Sequence, residues 1–183
     1  MAEYIYFIAS LPYLSIDRES PMSYTSFLEL AKEQLSKKDY LTLTKATFDH
    51  EKEKVSSRII SDWDDFNYCL NEYLTEERAK KLGKKNPEYR ARCRHSEDIQ
   101  KKAESIVRIE NPLDAEKAIL AEYFSFLSSH EVDSQFSLDA LIIYGLLLQI
   151  KERVSSFDRV KGREEFDRLY QDIRKDISLR SNL

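Results

Sequence analysis

Glycine is almost missing from this chain: three in 183 residues, at Gly83, Gly145 and Gly162. Glycine is the residue that lets backbone take positive φ or come close to a ligand. A chain this poor in it has little material for loops that cradle phosphates or shape a catalytic pocket. Neither GxxxxGK nor GxGxxG occurs, and no GxSxG elbow accompanies the many serines. Nucleotide binding and serine-based acyl transfer are therefore poorly supported. Cysteine is scarcer still. Cys69 and Cys93 lie outside any CxxC or Cys/His pattern with metal-ligand spacing, which predicts two free thiols in a reducing cytosol. His50, His95 and His130 are far apart, and none sits in an HExxH pattern. A pocket in which two of them meet Asp62 or Asp64 is the arrangement that would point to an enzyme. Long hydrophobic runs are lacking too: the longest, Leu141 to Leu148, falls well short of the roughly 20 residues that cross a bilayer. Met1 to Pro12 has no positive region before its apolar stretch and does not resemble a secretory signal.

What is there is helix-forming. Charged residues make up 34% of the chain against 42% hydrophobic, the balance of a folded protein with solvated helix faces. A net charge of −4 gives no global drive toward nucleic acid or anionic membrane. The length suits one core, so the sequence predicts an all-α multi-helix bundle forming a single domain over 1–183, with a subdivision into 1–84 and 85–183 as the alternative.

Residues 4–11, YIYFIASL, are nearly all apolar and fit either a short buried strand or a fully buried helix. The segment through Pro21 reads as an extended connection. Ser23 can cap a helix whose apolar face is Phe27, Leu28, Leu30, Ala31 and Leu35. Ser36 starts a shorter helix over Lys38 to Leu43, and Thr44 to Ser57 reads as a loop. Ser61 with Asp64 resembles a capping box opening a helix that turns Trp63, Phe66, Cys69, Leu70, Tyr73 and Leu74 inward and ends near Gly83. Pro87 suits the first turn of a polar helix through Tyr89 to Ile109, burying Ile99, Ala103, Ile106 and Val107. Asn111-Pro112 is a clear helix start. Ser137 is the expected cap of Leu138 to Ser156, apolar around most of its circumference and the candidate central helix. An amphipathic stretch over Arg163 to Leu179 closes the chain.

Two charge features invite a functional reading. Asp62, Asp64 and Asp65 flank Trp63 but do not converge on one point of a helix, and the helix dipole alone favours acids in a first turn. Residues 78–95, RAKKLGKKNPEYRARCRH, hold eight Lys or Arg against the single acid Glu88. Tyr89 and His95 are interleaved, so single-stranded RNA binding is conceivable. In an acidic chain, a contact to a protein or plain solvation is the better account. Arg90, Arg92 and Arg94 are the candidate partner-binding residues of that segment; the sequence predicts no catalytic residue, no metal ligand and no cofactor.

The opening YIYFIASLPYLSID with SYTSFLELAKEQLSKKD, and the late SLDALIIYGLLLQIKERVSSFD with KGREEFDRLYQDIRKDI, resemble a bacterial family of uncharacterised proteins encoded beside V-type ATPase subunits. More distantly, the same stretches are similar to the C (or d) subunit of V/A-type ATPases, an all-helical protein between the central shaft and the membrane rotor ring, of which this chain has about half the length. The resemblance covers most of the chain, with Thr44 to Arg94 least secure. It implies a non-catalytic, cytoplasmic accessory or stalk-like subunit acting in coupling, assembly or regulation, with V-type ATPase subunits as partners. A free-standing helical adaptor, or an RNA-binding module using 78–95, is the alternative.

Overall fold

The computed structural model describes residues 4–48, 57–84, 93, 97–131, 133–134, 137–157, 162–163, 167–171 and 174. The described residues form α1 (Ile5–Ser10), α2 (Tyr24–Gln34), α3 (Lys37–Lys45), α4 (Arg58–Lys81), α5 (Glu97–Arg108), α6 (Pro112–Ser129) and α7 (Leu138–Ser156), with no strand among them. The all-α expectation holds. The ambiguous 4–11 stretch is a helix of 6 residues, but only Phe7 within it is buried. Tyr6 is 84% exposed, so apolar composition there does not mean core.

Helix starts follow side chains that satisfy orphan amides. Ser23 accepts from the Ser26 amide, Ser36 from that of Asp39, and Asn111 from that of Leu113 ahead of Pro112 at the first helical position. One expected start is displaced. The hydroxyl that caps α4 belongs to Ser57, which accepts from the Ile60 amide, and Ser61 lies inside the helix. The reason is burial: Ile59 and Ile60 are both 3% exposed, and the helix begins early enough to turn them inward. Asp62, Asp64 and Asp65 are therefore past the first turn, and the dipole account does not apply to them. Instead, Asp62 forms an exposed i,i+4 pair with Arg58 at 3.7 Å.

At the other end of α4, Gly83 has φ 70°, the left-handed conformation that ends helices with a glycine. Its amide donates to the Lys80 carbonyl and that of Lys84 to the Ala79 carbonyl, the paired bonds of a Schellman stop. Helix α5 is described only from Glu97, and the expected start near Pro87 lies outside the described residues, as do Arg90, Arg92, Arg94, His50 and His95.

The chain divides into two compact units, Met1–Glu152 and Arg153–Leu183. In the second, residues 162–163 and 167–171 are helical and Leu169 and Tyr170 are exposed. In the first, α4 packs along α5, α5 on α6, and α2 on α3. Every residue from Leu141 to Leu148 is buried, so α7 is the central helix that its composition predicts. On α4, all six expected core residues, Trp63 to Leu74, are buried; on α2, Leu30 is 44% exposed despite its place in the apolar pattern.

At Gly145, α7 lies against side chains of α2. A Cβ there would lie 3.2 Å from a ring carbon of Phe27 and 3.4 Å from one of Tyr24. Phe27 is fully buried, stacked on Phe7 and tilted against Tyr144, so it has little room to retreat. Gly145→Val is expected to destabilise by about 1–3 kcal/mol through overpacking, outweighing its gain in backbone rigidity. An unchanged denaturant midpoint for that variant would refute the close approach.

The two cysteines are not free thiols. Cys69 of α4 and Cys93 form a disulfide across 24 residues, with Cα atoms 5.4 Å apart. The Tyr73 hydroxyl donates to the Cys93 carbonyl at 2.8 Å, fixing the same point a second time. No local spacing motif announces this pair, because the tertiary fold alone returns Cys93 to α4.

Candidate protein-docking groove

The N-terminal segment is tied to α7 along its length. The Tyr144 hydroxyl donates to the Pro12 carbonyl at 3.0 Å. One turn before the end of α7, the Lys151 ammonium donates to the carbonyls of Ser15 and Arg18. Glu152 accepts from the Tyr24 amide at 2.7 Å, at the start of α2. Lys151 is only 4% exposed, and loss of hydration lowers its pKa, with the nearby Asp17 opposing that fall. Three successive chain regions, Pro12, Ser15 to Arg18 and Tyr24, are thus fixed by three side chains of one helix.

Between this strapped segment and α7 lies a cavity of about 360 Å³. Ile8, Leu11, Pro12 and Leu14 form one wall; Ala140 and Tyr144 of α7 form another. Tyr13 lines the mouth and is 82% exposed, and Glu131, in the turn after α6, supplies its carboxylate. Glu131 keeps a solvent-facing side, yet the apolar wall strips part of its hydration and raises its pKa above the ordinary carboxyl value. The fold therefore bears a cost for holding it charged as pH rises above that value.

Tyr144 gives a pH prediction of definite sign. Burial pushes its phenol up to about 12 from the ordinary 10.0. Because the folded pKa is the higher, its contribution is fully present below pH 10 and is lost as pH rises from 10 toward 12. Stability should fall across that window, and Tyr144→Phe should flatten the fall. An unaltered pH profile in the variant would contradict the burial of this phenol. Tyr24 is raised in the same direction, chiefly by burial, and with Lys80 and Lys102, raised chiefly by hydrogen bonds to Glu77 and Glu122, contributes to the slope that persists.

A second cavity, about 290 Å³ and mostly polar, lies on the other side of the α6–α7 connection. His130, Asp62, Asp133 and Asp139 line it. The His130 Nδ1 lies 2.9 Å from the Phe126 carbonyl, which can only accept, so this nitrogen carries the proton. Asp139 accepts from the Ser57 hydroxyl at 2.7 Å. Among the described residues His130 lines this cavity with Asp62; His50 and His95, the other two histidines of the enzymatic arrangement named above, lie outside them. Among the described residues no group of three or more His, Cys, Asp or Glu could hold a metal ion. No helix among them is long and apolar enough to cross a membrane.

The groove escaped the sequence reading because its residues come from segments 130 positions apart, and because 4–11 reads as core. Two signals near it were present: the aromatic density of Tyr4, Tyr6, Phe7 and Tyr13, and Lys151, a lysine that follows the apolar run Leu141 to Leu148. The expected contact residues Arg90, Arg92 and Arg94 lie outside the described residues. Comparison of the chain with protein-family models, with curated proteins and with solved structures finds no match.

Proposed function

We propose that this chain is a non-catalytic accessory or stalk-like subunit of a V-type ATPase, acting in coupling, assembly or regulation through protein contacts at the cytoplasmic face of the membrane. The observation that carries the reading is the meeting of the two stretches on which the family resemblance rests. YIYFIASLPYLSID and SLDALIIYGLLLQIKERVSSFD are 120 positions or more apart in the chain, yet Tyr144 holds Pro12, and Lys151 holds Ser15 and, just past the first stretch, Arg18. Residues that share a resemblance and also share a groove are more economically explained by a common surface than by separate packing duties. A rigid helical scaffold suits such a role, since a preformed face loses little entropy on docking, and affinity concentrates in a few aromatic or Arg anchors. Exposed Tyr6 and Tyr13 are anchors of that type. Arg90, Arg92 and Arg94 supply a separate electrostatic contact.

The test is recovery of tagged chain from native membranes. ATPase subunits of the central stalk or rotor should accompany the wild type. Reversing the charge of Arg90, Arg92 and Arg94 together should lower their yield. Recovery of soluble partners alone would favour a free-standing adaptor, and recovery of salt-sensitive RNA would favour the nucleic-acid role.

A further inference from the structure

The groove beside Tyr144 combines two properties that seldom coexist without an external partner. Its walls are apolar, and among the described residues that line it the one charged group is a carboxylate, with no Lys, Arg or His. Glu131 has burial as its only perturbing influence, with no cation among the described residues contributing. Asp133 of the α6–α7 connection and Asp139 of α7 line the second cavity, whose basic side chains among the described residues are His130 and Arg58, the latter paired with Asp62. Among the described residues that line the groove itself, the Glu131 carboxylate is the one charge, set against apolar walls.

We infer that the groove takes a segment of a protein partner that presents a lysine or arginine among apolar side chains, the cation meeting Glu131 while the apolar residues lie against Leu11, Leu14, Tyr13 and Tyr144. An all-apolar segment would leave the carboxylate further desolvated and unpaired, which costs more than the added burial returns. An acidic segment would add like-charge repulsion. A cation carried on a long aliphatic stem satisfies both demands, because the stem packs on the wall and the head reaches the acid. The inference rests on reading the chain as a protein-docking subunit, and it specifies what the docked surface must carry.

The probe is a fluorescently labelled helix-forming peptide of leucine and lysine, set against the same peptide with glutamate in place of lysine, each titrated with the full chain. The leucine/lysine peptide should bind and the leucine/glutamate peptide should not. Glu131→Gln should weaken binding by about fivefold and Tyr13→Ala by about tenfold, as for a lost charge pair and a lost aromatic anchor. Glu29→Gln, on the exposed face of α2, should leave it unchanged. Tyr13 is 82% exposed, so its removal leaves the fold intact. Equal binding of the two peptides, or wild-type binding by Glu131→Gln, would overturn the inference, as would an equal loss from Glu29→Gln. Concentration-dependent dimerisation abolished by Tyr13→Ala would also overturn it, since the occupant would then be a second copy. No ATPase enters this titration, so the groove's chemistry and the ATPase assignment can fail independently.

Discussion

Replacing Trp63 with alanine is expected to lower unfolding free energy by about 3–5 kcal/mol, the largest loss for any single side chain in the bundle. Trp63 is 0% exposed and sits among aromatic neighbours, with ring centroids 4.9 Å from Tyr123, 5.9 Å from Phe48 and 6.2 Å from Phe126. These neighbours come from different parts of the chain, so they cannot collapse together into the vacated space without moving α4 or α6. The indole nitrogen has no hydrogen-bond partner among the described residues. Trp63→Phe should therefore cost far less, because it removes a buried donor that gains nothing from the fold along with part of the ring area. Urea denaturation of the two variants, read at constant slope, separates these outcomes. A Trp63→Ala midpoint close to that of wild type would mean that α4 does not pack on α6 through this residue.

Breaking the Cys69–Cys93 bond is expected to cost about 3 kcal/mol, the loop-closure value for a crosslink spanning 24 residues. Most of that loss comes from the wider freedom of the unfolded chain, so the helices themselves should survive. Ala103 and Ile106 are buried on α5, and the Lys81 ammonium donates to the Val107 carbonyl at 2.8 Å, contacts that do not run through the bond and should outlast it. Cys93→Ser and treatment of wild type with a dithiol should give the same loss, and the two should not add. Far-ultraviolet circular dichroism should stay helical in both. If both sulfurs of the untreated, folded chain react with an alkylating agent, the bond is absent and the prediction falls.

Elements governed by local chemistry were legible in the sequence. Ser23, Ser36 and Asn111 announced their helices because an N-cap depends on only three or four neighbouring residues. Gly83 announced the end of α4 for the same reason. The apolar run of α7 marked the centre because a helix greasy on every side has no other place to go. What stayed hidden depends on residues distant in sequence. Ser61 looked like a cap until the burial of Ile59 and Ile60 drew the helix start back to Ser57. The Cys69–Cys93 pair, the Lys151 clamp on Ser15 and Arg18, and the groove with Glu131 all join segments that no window of 20 residues contains. The 4–11 stretch misleads in the opposite direction, since Tyr6, suited by its ring to a core, instead remains at the surface while Phe7 alone of the helix is buried.

The claim on which the functional account turns is that this scaffold is gripped at the face formed by its N-terminal segment and α7. Amide hydrogen exchange, followed in the isolated chain and in the chain added to solubilised V-type ATPase, addresses it directly. The account predicts slower exchange over residues 4–14 and the first turns of α7 when the ATPase is present, with α2 and α3 unchanged. Identical exchange over 4–14 with and without the ATPase, at concentrations where the two are in excess over any plausible dissociation constant, would contradict it.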